Sequence, residues 1–305
     1  MVEVLENGGD LSQFHDSLNL ENPAAYAAWR SKKLATSPRA GAIPVLRVGD
    51  LSQPTDSEKS AILAQLSESN FAIYQAHAHS ANEEEIGAEL RQFTDAFGLR
   101  VAEAHRSAGI NGVVALKVSM AEHQRGFIPY SRKAMNWHTD GYYNAPADTI
   151  RAFVLHCVRQ ADIGGQSQII DNEIAYIRLR DENPDAVALL MDPEAMTIPE
   201  SPEADGSVRP VSIGPVFFVE DGKLIMRYTA RTRSISWKDE ATQKAGALLQ
   251  SLLEAERDYL HTLTLQPGQG ILNNNTLHNR TAFDPTAKTG SSQRMLYRIR
   301  FHNRL

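Results

Sequence analysis

A chain of 305 residues with 42% hydrophobic and 22% charged residues has the composition of a folded globular protein, and enough length for one large core or two small ones. Its formal net charge of −6 and pI near 5.9 argue against a general nucleic-acid surface, which would carry a basic face, but leave room for a local basic cluster that takes an acidic small molecule. A single cysteine rules out an intramolecular disulfide, no run of 18 apolar residues marks a membrane span, and the acidic start MVEVLENGGDLSQF lacks the basic and apolar regions of a signal peptide, so the expected location is cytoplasmic.

Residues 1–40 read as a peripheral N-terminal segment. Within it, NPAAYAAWRSKKLA (22–35) reads as a helix, with Asn22 as N-cap and Pro23 at the first helical position. A short strand near Ile43–Val48 follows. DSEKSAILAQLSE (56–68) has helical periodicity with acidic residues at its start, NFAIYQ (70–75) reads as a buried strand, and Asn82–Phe97 as an amphipathic helix stopped by Gly98. From about residue 113 the texture changes. VVALKVS, TIRAFVLHCV, SQIID, PVFFV, KLIMRY, GQGILNNN and RMLYRIRF are short β-rich runs between turn residues, and Asp221-Gly222 signals a hairpin.

Two helical stretches, near 172–191 and 239–260, interrupt these strands as insertions that could either cover the core or build an interface. No repeat or linker divides the chain. The expected architecture is therefore a single domain, mainly β with helices: a jelly-roll core from about 113 to 305 with a helical N-terminal segment and helical insertions.

The sharpest local feature is Asn136-Trp-His-Thr-Asp-Gly141. In a strand, positions i and i+2 share a face, so His138 and Asp140 could offer an imidazole nitrogen and a carboxylate oxygen to one metal. Alone, the triplet reads equally as a turn in which Asp140-Gly141 closes a strand. A second feature is ILNNNTLHNRTAF, where an asparagine run at 273–275 leads to His278. Two histidines and one carboxylate form the facial triad of non-haem iron(II) oxygenases, which leaves coordination positions open. A third is RMLYRIRF, with Arg294 and Arg298 four residues apart and on one side of a strand. Arg294 could grip the distal carboxylate of a dicarboxylic co-substrate; the competing reading is a pair of solvent-facing arginines.

The set WHTDG (137–141), GGQS (164–167), LHNRTAF (277–283) and RMLYR (294–298), in this order, resembles the taurine dioxygenase (TauD/TfdA-like) family of 2-oxoglutarate-dependent oxygenases over roughly residues 40–305. The resemblance implies a double-stranded β-helix (jelly-roll) fold with His138, Asp140 and His278 as iron ligands. It implies Arg294 as the partner of the 2-oxoglutarate C5 carboxylate, and Ser167 where relatives often have a threonine hydroxyl assisting that grip. Arg298 takes the place of a second arginine that in some relatives touches the substrate's acidic group. The implied cofactors are Fe(II), 2-oxoglutarate and O2, and the implied reaction is hydroxylation of an unactivated C–H bond with release of succinate and CO2. Related halogenases lack the carboxylate ligand, so Asp140 favours hydroxylation over halogenation. Relatives often form dimers or tetramers, but the sequence has no heptad or interface stripe, and homo-oligomerisation stays open.

The substrate is less defined. Tyr142, Tyr143, Lys117 and Arg227 are candidate pocket residues, and Arg227, Arg231 and Arg233 form a basic cluster that would suit a carboxylate, sulfonate or phosphonate, or else guards a strand edge. The stretch beginning IMRY also resembles, loosely, the glutarate hydroxylase branch. Residues 121–134 have the composition of a lid or of an ordinary connection. Cys157 and His156 read as core residues, and neither His123 nor His302 is assigned to metal. The expected partner is a small polar, acidic or amino-acid-like metabolite rather than nucleic acid or membrane. Desaturation, cyclisation or demethylation by the same cofactors, and a non-catalytic metal-binding jelly roll, remain the alternatives; a structural zinc site would want four protein ligands, often with cysteine.

Overall fold

The helices form where capping and periodicity predict them. In this computed structural model, which describes residues 16–78, 82–102, 112–119, 128–145, 148–202, 207–231, 235–283 and 294–305, α1 (Pro23–Thr36) starts at Asn22, whose side chain accepts from the Ala25 amide. After β1 (Val45–Asp50), α2 (Asp56–Ser69) carries a capping box between Thr55 and Glu58 and ends at Asn70 with φ +60°. Then come β2 (Phe71–Ala78), α3 (Glu83–Asp95), β3 (Val114–Lys117), β4 (Met135–His138), β5 (Ala152–Arg159) and β6 (Ser167–Ile170). The expected helix over 172–191 is two helices, α4 (Asn172–Glu182) and α5 (Pro184–Met191), because Asn183 leaves helical geometry before Pro184 and caps the second helix.

Short strands β7 (Met196–Ile198), β8 (Ser201–Pro202), β9 (Val208–Arg209) and β10 (Ser212–Gly214) follow. β11 (Phe217–Glu220) and β12 (Lys223–Met226) are joined by the predicted Asp-Gly hairpin, with φ +48° at Asp221 and +66° at Gly222. The chain ends in β13 (Ser236–Trp237), α6 (Glu240–Ala255), β14 (His261–Leu263), β15 (Gln269–Asn273), β16 (Leu277–Arg280) and β17 (Met295–Phe301).

Two sheets make the jelly roll. The larger has the order β1-β2-β15-β5-β17-β3, antiparallel except for β1–β2, and the smaller has the order β14-β6-β16-β4. Phe71, Ile73, Val114, Leu116, Cys157, Ile271 and Leu296 of the larger sheet meet Ile169 of the smaller between them. The opposite face of the larger sheet is covered by Ile62 and Leu66 of α2 and Ile86, Leu90 and Phe93 of α3. The outer face of the smaller sheet, with Trp137, Ile170 and Leu277, is covered by α4, α5 and α6, so both insertions serve the core.

Ahead of the jelly-roll core expected from about residue 113, β1 and β2, from residues 45–78, add two strands at the edge of the larger sheet. β2's partner β15 lies some 200 residues on, a pairing no local pattern announces. α1 is also less peripheral than its position suggests. Lys33 is buried and reaches Asp171 at 2.6 Å and Glu173 at 2.7 Å.

Candidate metal centre

Three side chains from two chain segments converge at one end of the space between the sheets. β4 delivers His138, and β16 delivers His278 directly opposite it in antiparallel register. On its other side, β4 is held by residues 228–230: Thr139 N donates to Tyr228 O and Ala230 N to Trp137 O. The strand ends at His138, so Asp140 does not share a strand face with it as predicted. Asp140 sits in the following turn, where Gly141 at φ +67° reverses the chain and a Cβ would strike Ile150 at 2.5 Å. Asp140-Gly141 closes the strand, and the turn swings the carboxylate back beside the imidazoles.

Nitrogen or oxygen atoms able to hold a metal, one each from His138, Asp140 and His278, lie within 4.8 Å of one another, and Asp140 Oδ1 is 3.9 Å from Nε2 of each histidine. Nδ1 of His138 is 2.8 Å from Asn136 O and Nδ1 of His278 is 2.9 Å from Thr276 O. A carbonyl can only accept, so Nδ1 carries the proton in both rings and each Nε2 presents its lone pair. Burial, and then the neighbouring His278, push His138 down to about 3; burial likewise lowers His278. Both rings are thus neutral donors at neutral pH. Burial alone would raise the Asp140 carboxyl, but the Arg298 and Arg300 guanidiniums outweigh it and hold it well below the usual range, as a carboxylate. This donor set, two neutral imidazoles and one anion on a single point, fits a divalent metal with open coordination positions.

β17 supplies the charge behind the centre. Met295, Tyr297, Ile299 and Phe301 point into the outer core, so Leu296, Arg298 and Arg300 face between the sheets. Arg300 Nε donates to Asp140 Oδ2 at 2.8 Å, and its Nη1 donates to the Tyr143 hydroxyl at 3.0 Å. Arg298 is more loosely placed: its Nη1 is 3.3 Å from Asp140 Oδ2, and its buried Nε has no partner among the described residues. Arg300 escaped the sequence reading although it continues the alternation of Arg294 and Arg298 by one step. Phe153 and Tyr142 wall the site, with ring centroids 4.8 Å from His278 and 6.5 Å from His138.

Arg294 and Ser167 line one cavity with Cys157, Gly164, Gly165 and Leu296. The Gly-Gly pair makes this possible. Gly164, at φ +78°, passes so close to β16's continuation that a Cβ would lie 2.3 Å from Ala282 O. The Arg294 guanidinium lies over the Phe283 ring at 5.3 Å and, among the described residues, makes only a 3.5 Å hydrogen bond, to Gly165 O; burial lowers it to about 10. Burial raises the Cys157 thiol to about 12, as befits a core residue.

Two predicted pocket residues lie elsewhere. Lys117 is exposed, since Val114 and Leu116 occupy the inner face of β3 and Lys117 takes the other. Arg227 is buried, but its guanidinium donates to Met196 O, Gly214 O and Ser212 O, tying the small β10-β7-β13 sheet together. Arg231 is exposed, and Arg233 and His123 lie outside the described residues. So do 121–127 of the expected lid. Its remainder is anchored by Arg280, which donates to the carbonyls of Ile128, Pro129, Ser131 and Lys133. His156 is hydrogen-bonded in the core, with Nδ1 3.0 Å from the Tyr74 hydroxyl.

A family model described as "Taurine catabolism dioxygenase TauD, TfdA family" matches residues 44–300. A uridine-5'-phosphate dioxygenase of an Amycolatopsis species is 30% identical over 165 residues, 48% of this chain and 54% of that protein, so the chain matches only about half of that relative's length. A second, from a Streptomyces species, is 27% identical over 252 residues, 77% of this chain and 86% of that protein. Among solved structures, an asparagine oxygenase in complex with Fe(II), 2S,3S-3-hydroxyasparagine and succinate superposes with a TM-score of 0.60 at 16% identity, covering 81% of this chain and 79% of that one. At that identity the likeness concerns the fold, which is the jelly roll.

Proposed function

Because the chain belongs to the taurine catabolism dioxygenase TauD/TfdA family, we propose that it is an Fe(II)- and 2-oxoglutarate-dependent dioxygenase that hydroxylates an unactivated C–H bond of a small, acidic or amino-acid-like metabolite. The observation that carries this reading is the convergence of His138 Nε2, His278 Nε2 and Asp140 Oδ1, with both imidazoles neutral and their tautomers fixed. These three residues would hold the metal. When bound, Fe(II) and 2-oxoglutarate supply the oxidising chemistry, in which O2 is reduced, the co-substrate leaves as succinate and CO2, and one oxygen atom enters the substrate.

The chain's own contribution is placement, charge and dryness. Arg294, with the Ser167 hydroxyl lining the same cavity, would pair with the distal carboxylate of 2-oxoglutarate. Arg300 occupies Asp140 Oδ2 and leaves Oδ1 toward the imidazoles. Phe153, packed on His278, keeps water from that side. Arg298, loosely bound and with an Nε that has no partner among the described residues, would take an anionic group of the substrate, and Tyr142 and Tyr143 would line its approach. The uridine-5'-phosphate and asparagine oxygenases it resembles both act on polar metabolites that carry an anionic group, which makes nucleoside 5'-monophosphates and amino acids the first compounds to screen. The ion pairs of Lys33 in α1 support reading the chain as one oxygenase unit. The single buried thiol suits the cytoplasm, and among the described residues no helix is long and apolar enough to cross a membrane.

Anaerobic titration of the apoprotein with Fe(II) and 2-oxoglutarate tests the reading. A weak visible charge-transfer band that needs both additions is expected. Bound metal without such a band would leave a non-catalytic metal-binding jelly roll. With a substrate in hand, a product that gains one oxygen atom supports hydroxylation, whereas loss of two hydrogens or of a methyl group assigns desaturation, cyclisation or demethylation.

A further inference from the structure

The asparagine run before His278 does more than make a turn. Asn273, Asn274 and Asn275 are all buried, at 0%, 4% and 4% exposure, yet their side chains serve different ends. Asn273 caps the turn itself, accepting from Thr276 N at 2.7 Å. Asn274 holds the last residue, donating to Leu305 O at 2.8 Å and accepting from Leu305 N at 3.0 Å. Asn275, at φ +54°, reaches across 135 residues to the Asp140 turn. Its Oδ1 accepts from Asp140 N at 2.7 Å, and its Nδ2 donates to Asp140 O at 3.0 Å and to Ile150 O at 2.7 Å.

One side-chain amide therefore satisfies both main-chain groups of Asp140 and uses all of its own donors. This matters because Asp140 lies past the end of β4, where no strand ladder holds it. A second asparagine completes the link. Asn172, the first residue of α4, accepts from Leu277 N at 2.8 Å through Oδ1 and donates to Asn275 O at 3.2 Å through Nδ2. It thus fixes the chain on both sides of Thr276, whose carbonyl orients the His278 ring. The Asp140 turn and the His278 strand are joined through these two side chains.

We propose that Asn275 is a positioning residue for the metal centre, and that with Asn172 it sets the separation of Asp140 and His278 before any metal binds. This rests on the reading of His138, Asp140 and His278 as ligands. Asn274 provides the control: it has the same burial, lies in the same turn and makes two comparable bonds, but it faces away from the centre.

The test compares Asn275→Ala with Asn274→Ala in the full chain, measuring melting temperature and anaerobic Fe(II) affinity, with the Fe(II)–2-oxoglutarate band as a second readout. Both variants are expected to melt lower. Asn275→Ala is expected to bind Fe(II) about tenfold or more weakly, with a shifted band, as loss of a residue that orients a ligand does elsewhere; Asn274→Ala is expected to keep wild-type affinity. Unchanged affinity in Asn275→Ala, or an equal loss in both variants, overturns the positioning role. Should Asn275→Ala not fold, Asn172→Ala answers the same question, since it frees Asn275 O and Leu277 N while leaving the bonds to Asp140 in place; weaker Fe(II) binding supports the link and unchanged binding overturns it. Wild-type protein that binds no Fe(II), or His138→Ala that binds it normally, would remove the ligand reading itself and the proposal with it.

Discussion

Arg300 grips Asp140 from behind: its Nε lies 2.8 Å from Oδ2, while Oδ1 of the same carboxylate stands 3.9 Å from Nε2 of both His138 and His278. The guanidinium divides the two oxygens between a structural partner and the open side of the centre. With Arg298 it also keeps the buried carboxylate charged, and its Nη1 donates to the Tyr143 hydroxyl. Arg300→Ala is expected to weaken Fe(II) binding by about tenfold to a hundredfold. Arg300→Lys, which keeps the charge but loses the fork, should recover only part of it. Equilibrium titration with Fe(II) under argon measures both, and wild-type affinity in Arg300→Ala would show that Asp140 needs no such support.

His138→Ala and Asp140→Ala are each expected to abolish succinate formation while leaving a folded protein, because each removes a donor from a set of three. Circular dichroism checks the fold and a coupled succinate assay the turnover. Normal turnover in Asp140→Ala would end the facial-triad reading.

Arg294→Ala should act on the co-substrate. The guanidinium is buried, makes one long contact with Gly165 O, and shares its cavity with Ser167. A KM for 2-oxoglutarate raised by about a hundredfold is expected, in line with the loss of a buried charge-assisted pair worth roughly 3 kcal/mol. Ser167→Ala, which removes a neutral hydrogen bond, should raise it only several-fold. An unchanged KM in Arg294→Ala would pass the role to Arg298, whose buried Nε has no partner among the described residues.

Arg227→Met is expected to lower stability by about 3 kcal/mol, since it strips the carbonyls of Met196, Ser212 and Gly214 of their donor, while the KM of whatever substrate is found stays put. A specific rise in that KM, with stability intact, would return Arg227 to the binding site.

Lys33 yields a prediction in pH. Burial pulls its ammonium down, but Asp171 and Glu173 outweigh this and hold it above the ordinary lysine range. Its contribution is therefore complete below the unfolded lysine pKa of about 10.5 and fades as pH rises through the higher folded value. Lys33→Met would leave two buried carboxylates facing each other at a cost of about 3 to 5 kcal/mol at neutral pH. Their folded pKa values would then lie above the unfolded ones, so the folded state would bind more protons and the variant would gain stability as pH falls. Denaturant melts at pH 8 and pH 5 should show the smaller deficit at pH 5; an equal deficit at both would mean that the carboxylates find another counter-charge, with Arg304 the nearest candidate.

By itself the sequence determined what depends on short range. Asn22 and Pro23 announced a helix start, Asp221-Gly222 announced its hairpin, and the order of WHTDG, GGQS, LHNRTAF and RMLYR pointed to the family and its three candidate ligands. Tertiary structure decided what each arginine and asparagine is for. Arg227 is buried and Arg300 half-buried, both at strands, yet one is spent on backbone carbonyls of a small sheet and the other on Asp140, because the partners come from segments 13 to 160 residues away. Asn274 and Asn275 are adjacent and identical in type, yet one holds the chain's last residue and the other holds Asp140. Capping and periodicity are local and can be read along the chain; the choice of hydrogen-bond partner in a buried site is set by which distant segments the two sheets bring within 3 Å, and only the folded chain makes that choice.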